Sequence, residues 1–162
     1  MTVRCRLARI ACVAVALLVV GSGVASAEVR PFSASLAGNG SLGGTDDPCV
    51  LQNNETATGT GAQLGRFTWE SEEFANYCVN PNGVAVIGSF MITTANGDLL
   101  YGVYTTLGEF DGAGNLIIHG TYELDGGTGR FADATGGGDL DAIGFLTPGL
   151  PVFGSLAGTL DY

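Results

Sequence analysis

Residues 111–129 read DGAGNLIIHGTYELDGGTG. Two glycine-rich turns bracket a ten-residue run whose side chains alternate. Leu116, Ile118, Gly120, Tyr122 and Leu124 share one parity, and Asn115, Ile117, His119, Thr121 and Glu123 share the other. A period of two, apolar against mixed, marks a strand with one face on a core. The flanking Asp111-Gly112-Ala113-Gly114 and Asp125-Gly126-Gly127-Thr128-Gly129 supply the positive-φ positions of tight hairpins. This segment therefore reads as a strand turned back at both ends.

The pattern extends in both directions. Asn82-Gly83 and Asn96-Gly97-Asp98 punctuate the upstream chain in the same way. Strands are predicted at 31–42, 56–75 (bent or broken), 84–95, 98–108, 115–125, 138–146 and 151–161, with a short further piece at 129–134. No segment keeps helical periodicity for three turns. Seven or eight strands joined by tight turns predict an all-β fold, a single antiparallel, eight-stranded closed β-barrel. Some strands are apolar on both faces: Val84, Val86, Phe90 and Ile92 against Ala85, Ile87 and Met91. That predicts an outer contact, such as a homo-oligomer interface or a covering loop. The alternation does not decide which parity faces inward.

The N-terminus has a different character. Arg4, Arg6 and Arg9 precede an apolar run from Ile10 to Val20, and Ala25-Ser26-Ala27 fits an A-x-A cleavage site. This is the order of a Sec-type signal peptide, residues 1–27, cut after Ala27. The apolar run is short of the about 20 residues of a membrane span. The expectation is a secreted domain, residues 28–162, with no membrane span after cleavage. That domain has three arginines, Arg30, Arg66 and Arg130, no lysine, and all 16 carboxylates, a net charge of −13. Such a balance disfavours nucleic acid and anionic membrane surfaces as partners.

Cys5 and Cys12 lie in the signal, leaving Cys49 and Cys78. Two cysteines in an exported domain are expected to pair. A metal site is the weaker alternative, because two isolated thiols and one histidine lack zinc-ligand spacing.

Gly126-Gly127-Thr128-Gly129-Arg130-Phe131, continuing to Gly136, resembles the G-G-[TS]-G-x-F…G hairpin of dirigent proteins and allene oxide cyclases. Residues 61–68 and 94–98 resemble segments of small exported bacterial proteins thought to share that calycin-type barrel. The likeness covers residues 56–162. It implies an eight-stranded barrel with an interior cavity and no cofactor. Dirigent proteins steer radical coupling and allene oxide cyclases close a ring, but no catalytic residue of either aligns here.

Other chemistries fail on their structural requirements. Gly38-Asn39-Gly40-Ser41-Leu42-Gly43 has G-x-G-x-x-G spacing, but Gly44-Thr45-Asp46-Asp47-Pro48 follows it and starts no helix, so a loop is predicted there. The Asp111 turn lacks the residues of an EF-hand. Asp46-Asp47 and Asp139/Asp141 read as solvated turn acids ahead of weak calcium sites. No metal, cofactor or catalytic residue is assigned. The cavity candidates are Arg66 and Glu70 on one predicted strand, and His119 and Glu123 on another. A His–Glu pair lining a cavity would suit acid–base work; outside it, the same residues are surface groups worth little. The expected role is non-catalytic: binding of a small apolar ligand, or oligomeric interaction. The alternative is a cofactor-free cyclase, isomerase or coupling guide.

Overall fold

The computed structural model describes residues 29–162. The expected signal peptide, residues 1–27, lies outside the described residues. The chain forms eight strands: β1 (Arg30–Gly44), β2 (Val50–Gly61), β3 (Gly65–Asn76), β4 (Gly83–Thr94), β5 (Leu99–Phe110), β6 (Asn115–Gly127), β7 (Thr135–Phe145) and β8 (Pro151–Asp161). Each pairs antiparallel with the next, and β8 returns to β1, so the sheet closes into an up-and-down barrel. In register, Ala34 of β1 lies between Gly61 of β2 and Leu156 of β8. Closure leaves no strand edge unpaired, which removes the template for edge-to-edge aggregation.

Three local expectations are corrected. The break expected within 56–75 falls at 62–64, between β2 and β3, but β2 begins at Val50, ahead of the predicted start. The chain reverses through Gln63 (φ 62°) and Gly65 (φ 68°), while Leu64 tucks into the core. Residues 129–131 form a single 3-10 turn rather than a strand, closed by the Phe131 N–H donating to the Thr128 carbonyl at 3.0 Å. Residues 38–43 run within β1 and are not a loop. There Gly38 lets β1 and β2 approach closely: a Cβ would stand 2.1 Å from the Thr56 carbonyl oxygen.

The inward parity differs from strand to strand. Leu116, Ile118, Tyr122 and Leu124 point inward on β6; Phe67, Trp69, Ser71 and Glu73 do so on β3; Val84, Val86, Phe90 and Ile92 on β4. Along the barrel axis the interior has two different halves. The lower half, toward the 62–64, 95–98 and 128–134 turns, is packed solid. Trp69 stacks on Phe90 with ring centroids 4.4 Å apart, and Phe90 meets Tyr122 edge-on. Below them Phe131, fully buried, closes the pole against Tyr162. Arg130 covers the Phe131 ring at 4.6 Å and donates to the Gln63 carbonyl at 2.7 Å. The glycine-rich hairpin thus has a structural role, folding an aromatic plug over one mouth of the barrel.

The opposite pole is built from the 45–49, 77–82, 111–114 and 146–150 loops. The Cys49–Cys78 disulfide joins two of them. Tyr77 reinforces the junction, its N–H donating to the Cys49 carbonyl and its hydroxyl to the Pro48 carbonyl.

Candidate functional site

Below this second pole the interior opens into a cavity of about 130 Å³. It exists because small residues occupy inward positions in the upper half, among them Gly40, Ala75, Ala142, Gly144 and Gly154. Most inward glycines of the barrel are hemmed in by neighbouring strands. Gly144 is not: a Cβ there would meet nothing nearer than Leu116 Cβ at 3.9 Å. The walls from β6, β7 and β8 are aliphatic, with Leu116, Ile118, Leu140 and Leu156 facing inward.

The wall from β2, β3 and β5 is polar. Asn53 and Glu73 are directly opposite in the ladder, as are Glu55 and Ser71. The Asn53 amide donates to Glu73 at 2.7 Å and to Glu55 at 3.2 Å. Its own carbonyl oxygen accepts the Ser41 N–H at 2.9 Å, which fixes the amide orientation. Tyr104 of β5 donates its hydroxyl to Glu73 at 2.6 Å. One amide and one phenol thus hold two carboxyl groups side by side against an apolar chamber.

That placement alters their acidity. Burial, reinforced by the negative charge of Glu73, pushes the Glu55 carboxyl up to about 7, against the Asn53 hydrogen bond and the nearby Ser71 hydroxyl, which pull the other way. Burial, with Glu73 beside it, holds the Tyr104 phenol well above its usual range, so it remains a hydrogen-bond donor. Trp69 forms part of the same lining; it is 3% exposed and its indole N–H has no hydrogen-bond partner among the described residues. A buried donor without an acceptor costs about 1–3 kcal/mol.

Arg66, Glu70, His119 and Glu123 stand elsewhere. All four are exposed on the outer face, and none lines the cavity. They carry the other parity: inward Phe67 and Trp69 turn Arg66 and Glu70 out, and inward Gly120, Tyr122 and Leu124 turn His119 and Glu123 out. Nor are they brought together, since β4 and β5 separate the two strands. His119 instead pairs with its cross-strand neighbour Asp141 at 2.6 Å, with both side chains more than half exposed, so the pair contributes little.

The acidic turns are occupied locally. Asp111 accepts the Ala113 and Asn115 N–H groups and the Asn115 amide, which hold its carboxyl below its usual value. Asp47 accepts the Cys49 N–H at 2.8 Å. Among the described residues no group of three or more His, Cys, Asp and Glu side chains is placed to hold a metal ion.

Sequence reasoning missed Asn53, Glu55, Glu73 and Tyr104. A signal for Glu73 was present: it continues the Phe67–Trp69 parity two steps on. Asn53 and Glu55 lie ahead of residue 56, in the part of β2 that lies outside the predicted strand.

Comparison with known proteins finds no matching family model, no matching curated protein and no matching solved structure.

Proposed function

We propose that this chain is an exported barrel that binds one small, largely apolar molecule in the upper half of its interior. The observation that carries the reading is the asymmetry of the interior: one half packed with aromatic rings, the other open and lined by aliphatic walls with a single polar side. Eight-stranded barrels either fill with their own side chains or hold one small ligand. Apolar pockets with a few convergent polar groups are the usual form of a small-molecule site. An engineered cavity of about 150 Å³ takes benzene. The present volume thus suits a molecule of roughly the size of benzene.

Export is part of the proposal. It is supported by the basic and apolar order of residues 1–27 and by a disulfide, which persists in oxidising compartments. The resemblance of residues 126–136 to the dirigent and allene oxide cyclase hairpin supports the cavity reading.

Trp69 is the only tryptophan in the chain and lines the cavity. Its fluorescence is therefore the readout. Titration with cyclohexanol is expected to shift the emission saturably in the wild type. Gly144→Leu, which fills the chamber from the opposite wall, is expected to remove the response. An unresponsive wild-type protein sinks the reading.

A second reading is favoured by the Glu55 carboxyl, which titrates close to neutral pH inside the cavity. In it the barrel turns over its guest by proton transfer, as a cofactor-free isomerase or cyclase. Proton NMR of cyclohexanone in heavy water tests this. Accelerated exchange of the protons beside the carbonyl, lost in Glu55→Gln, supports turnover; exchange at the uncatalysed rate leaves a binding protein only.

Self-association belongs to the same proposal. Ile87 and Leu107 are each 60% exposed on the outer face, near half-exposed Phe74 and Val103. Sedimentation velocity is expected to show a homo-oligomer; a monomer at high concentration removes that part.

A further inference from the structure

The polar side of the cavity constrains what its guest carries. Two carboxyl groups, Glu55 and Glu73, face an apolar chamber. No lysine or arginine lines it: among the described residues Arg66 is on the outer face, and Arg30 and Arg130 lie beside Tyr162 at the opposite pole. Buried charge without a partner is costly, and is met by a proton or by a counter-charge. The protein's own donors cover only part of the demand. Asn53 gives hydrogens to both carboxyls, Tyr104 gives one to Glu73, and the Ser71 hydroxyl faces Glu55 across the ladder, whereas two carboxylates offer about eight lone-pair sites.

We infer that the guest is a small primary amine: an apolar body of about six non-hydrogen atoms with an ammonium group seated between Glu55 and Glu73. The inference rests on the carrier reading above and adds the chemical class of the ligand. An ammonium group has three donors and no acceptor, so it matches a wall of acceptors. A neutral alcohol supplies one donor and leaves the carboxyl charge uncompensated. A carboxylate adds a like charge beside Glu73.

The site is also linked to protons. When no cation is present, Glu55 holds a proton in the near-neutral range for the reasons of burial and repulsion given above. The groups facing it are Glu73 from β3 and Tyr104 from β5; Tyr122 of β6 lies lower, and β1, β4, β7 and β8 contribute no titratable side chain to the lining. Amine binding then displaces the Glu55 proton. A guest amine with the basicity of lysine, about 10.4, stays charged throughout. Affinity therefore rises with pH through the Glu55 transition, by at most tenfold per pH unit for one proton released.

The test uses the intact disulfide-bonded protein and three probes: cyclohexylamine, cyclohexanol and cyclohexanecarboxylate. Trp69 fluorescence and calorimetry in two buffers of different ionisation enthalpy are the readouts. Expected are amine binding at least tenfold tighter than alcohol binding, proton release at pH 6, affinity that climbs several-fold from pH 6 to 8, and no measurable carboxylate binding. Glu55→Gln, which keeps size and hydrogen bonding, is expected to flatten the pH dependence. Alcohol binding as tight as amine binding, with no proton release, overturns the amine inference and leaves the carrier reading standing. No response to any probe, in a wild type that unfolds cooperatively, removes the carrier reading and this inference together.

Discussion

Tyr104 donates its hydroxyl to Glu73 at 2.6 Å across an intervening strand, reaching over Gly88. Glu73 is the ladder partner of Gly88 on one side, and Tyr104 is its partner on the other. A Cβ at position 88 would stand 2.5 Å from the Tyr104 ring carbon that bears the hydroxyl and 2.9 Å from Glu73 Cβ. The glycine is the gap through which β3 and β5 share a hydrogen bond, and that bond helps hold the carboxyl pair in place.

Removing the bond tests its weight. Tyr104→Phe keeps the ring and loses one hydrogen bond to a charged group, worth about 1.5–3 kcal/mol. Urea unfolding is expected to show a loss of that size. Gly88→Ala leaves both partners present but obstructs their approach, and is expected to destabilise the fold as well. Unchanged stability in both variants removes the network from the account.

The Glu55 carboxyl makes stability depend on pH in an unusual direction. Its folded-state value of about 7 lies above the ordinary 4.5, so the folded protein holds a proton that the unfolded chain releases. The contribution is fully present below about 4.5 and is lost as pH rises through about 7. Wild type is therefore expected to lose stability relative to Glu55→Gln over that window. Parallel stability–pH curves for the two proteins contradict the assignment.

Phe131 is fully buried and closes the lower pole. Phe131→Ala is expected to cost about 3–5 kcal/mol by the combined loss of burial and opening of a void. The comparison is Val79→Ala in the 77–82 loop, where a side chain 62% exposed gives up little. Similar melting shifts for the two variants contradict the plug.

The disulfide joins loops at the open pole across a separation of 29 residues. In the chain-entropy account a loop of that length is worth roughly 3–4 kcal/mol. Reduction by dithiothreitol is expected to lower the urea midpoint correspondingly while the far-ultraviolet signature of the sheet persists at zero urea. An unmoved midpoint contradicts a stabilising role.

The barrel was legible in the sequence because its information is local. Alternation over 115–124 and the Asn-Gly and Asp-Gly turns state strand, reversal, strand, and a chain built so throughout closes on itself. The Cys49–Cys78 pair was legible by elimination. Strand β2 was less so. Its sequence, VLQNNETATGTG, offers no apolar alternation, and its strand state comes from ladder pairing with β1 and β3. The site hid for the same reason. A search guided by polarity selects the polar parity, and in a barrel that parity faces solvent; hence Arg66, Glu70, His119 and Glu123. The functional signal is the reverse one, a charged residue on the apolar parity. Glu73 after Phe67 and Trp69 is that signal, and Glu55 becomes visible only once β2 has its register. The 129–134 segment misled differently, since Thr-Gly-Arg-Phe has no period long enough to separate a strand from a single turn.

The central claim is that a small molecule occupies the upper half of the barrel. Crystals soaked in bromobenzene, measured at the bromine edge, test it most directly. The account predicts one anomalous peak inside the barrel, between Gly144 on one wall and Glu55 and Trp69 on the other, and its disappearance in Gly144→Leu. An interior without bromine, or a peak found only on the outer face, contradicts it.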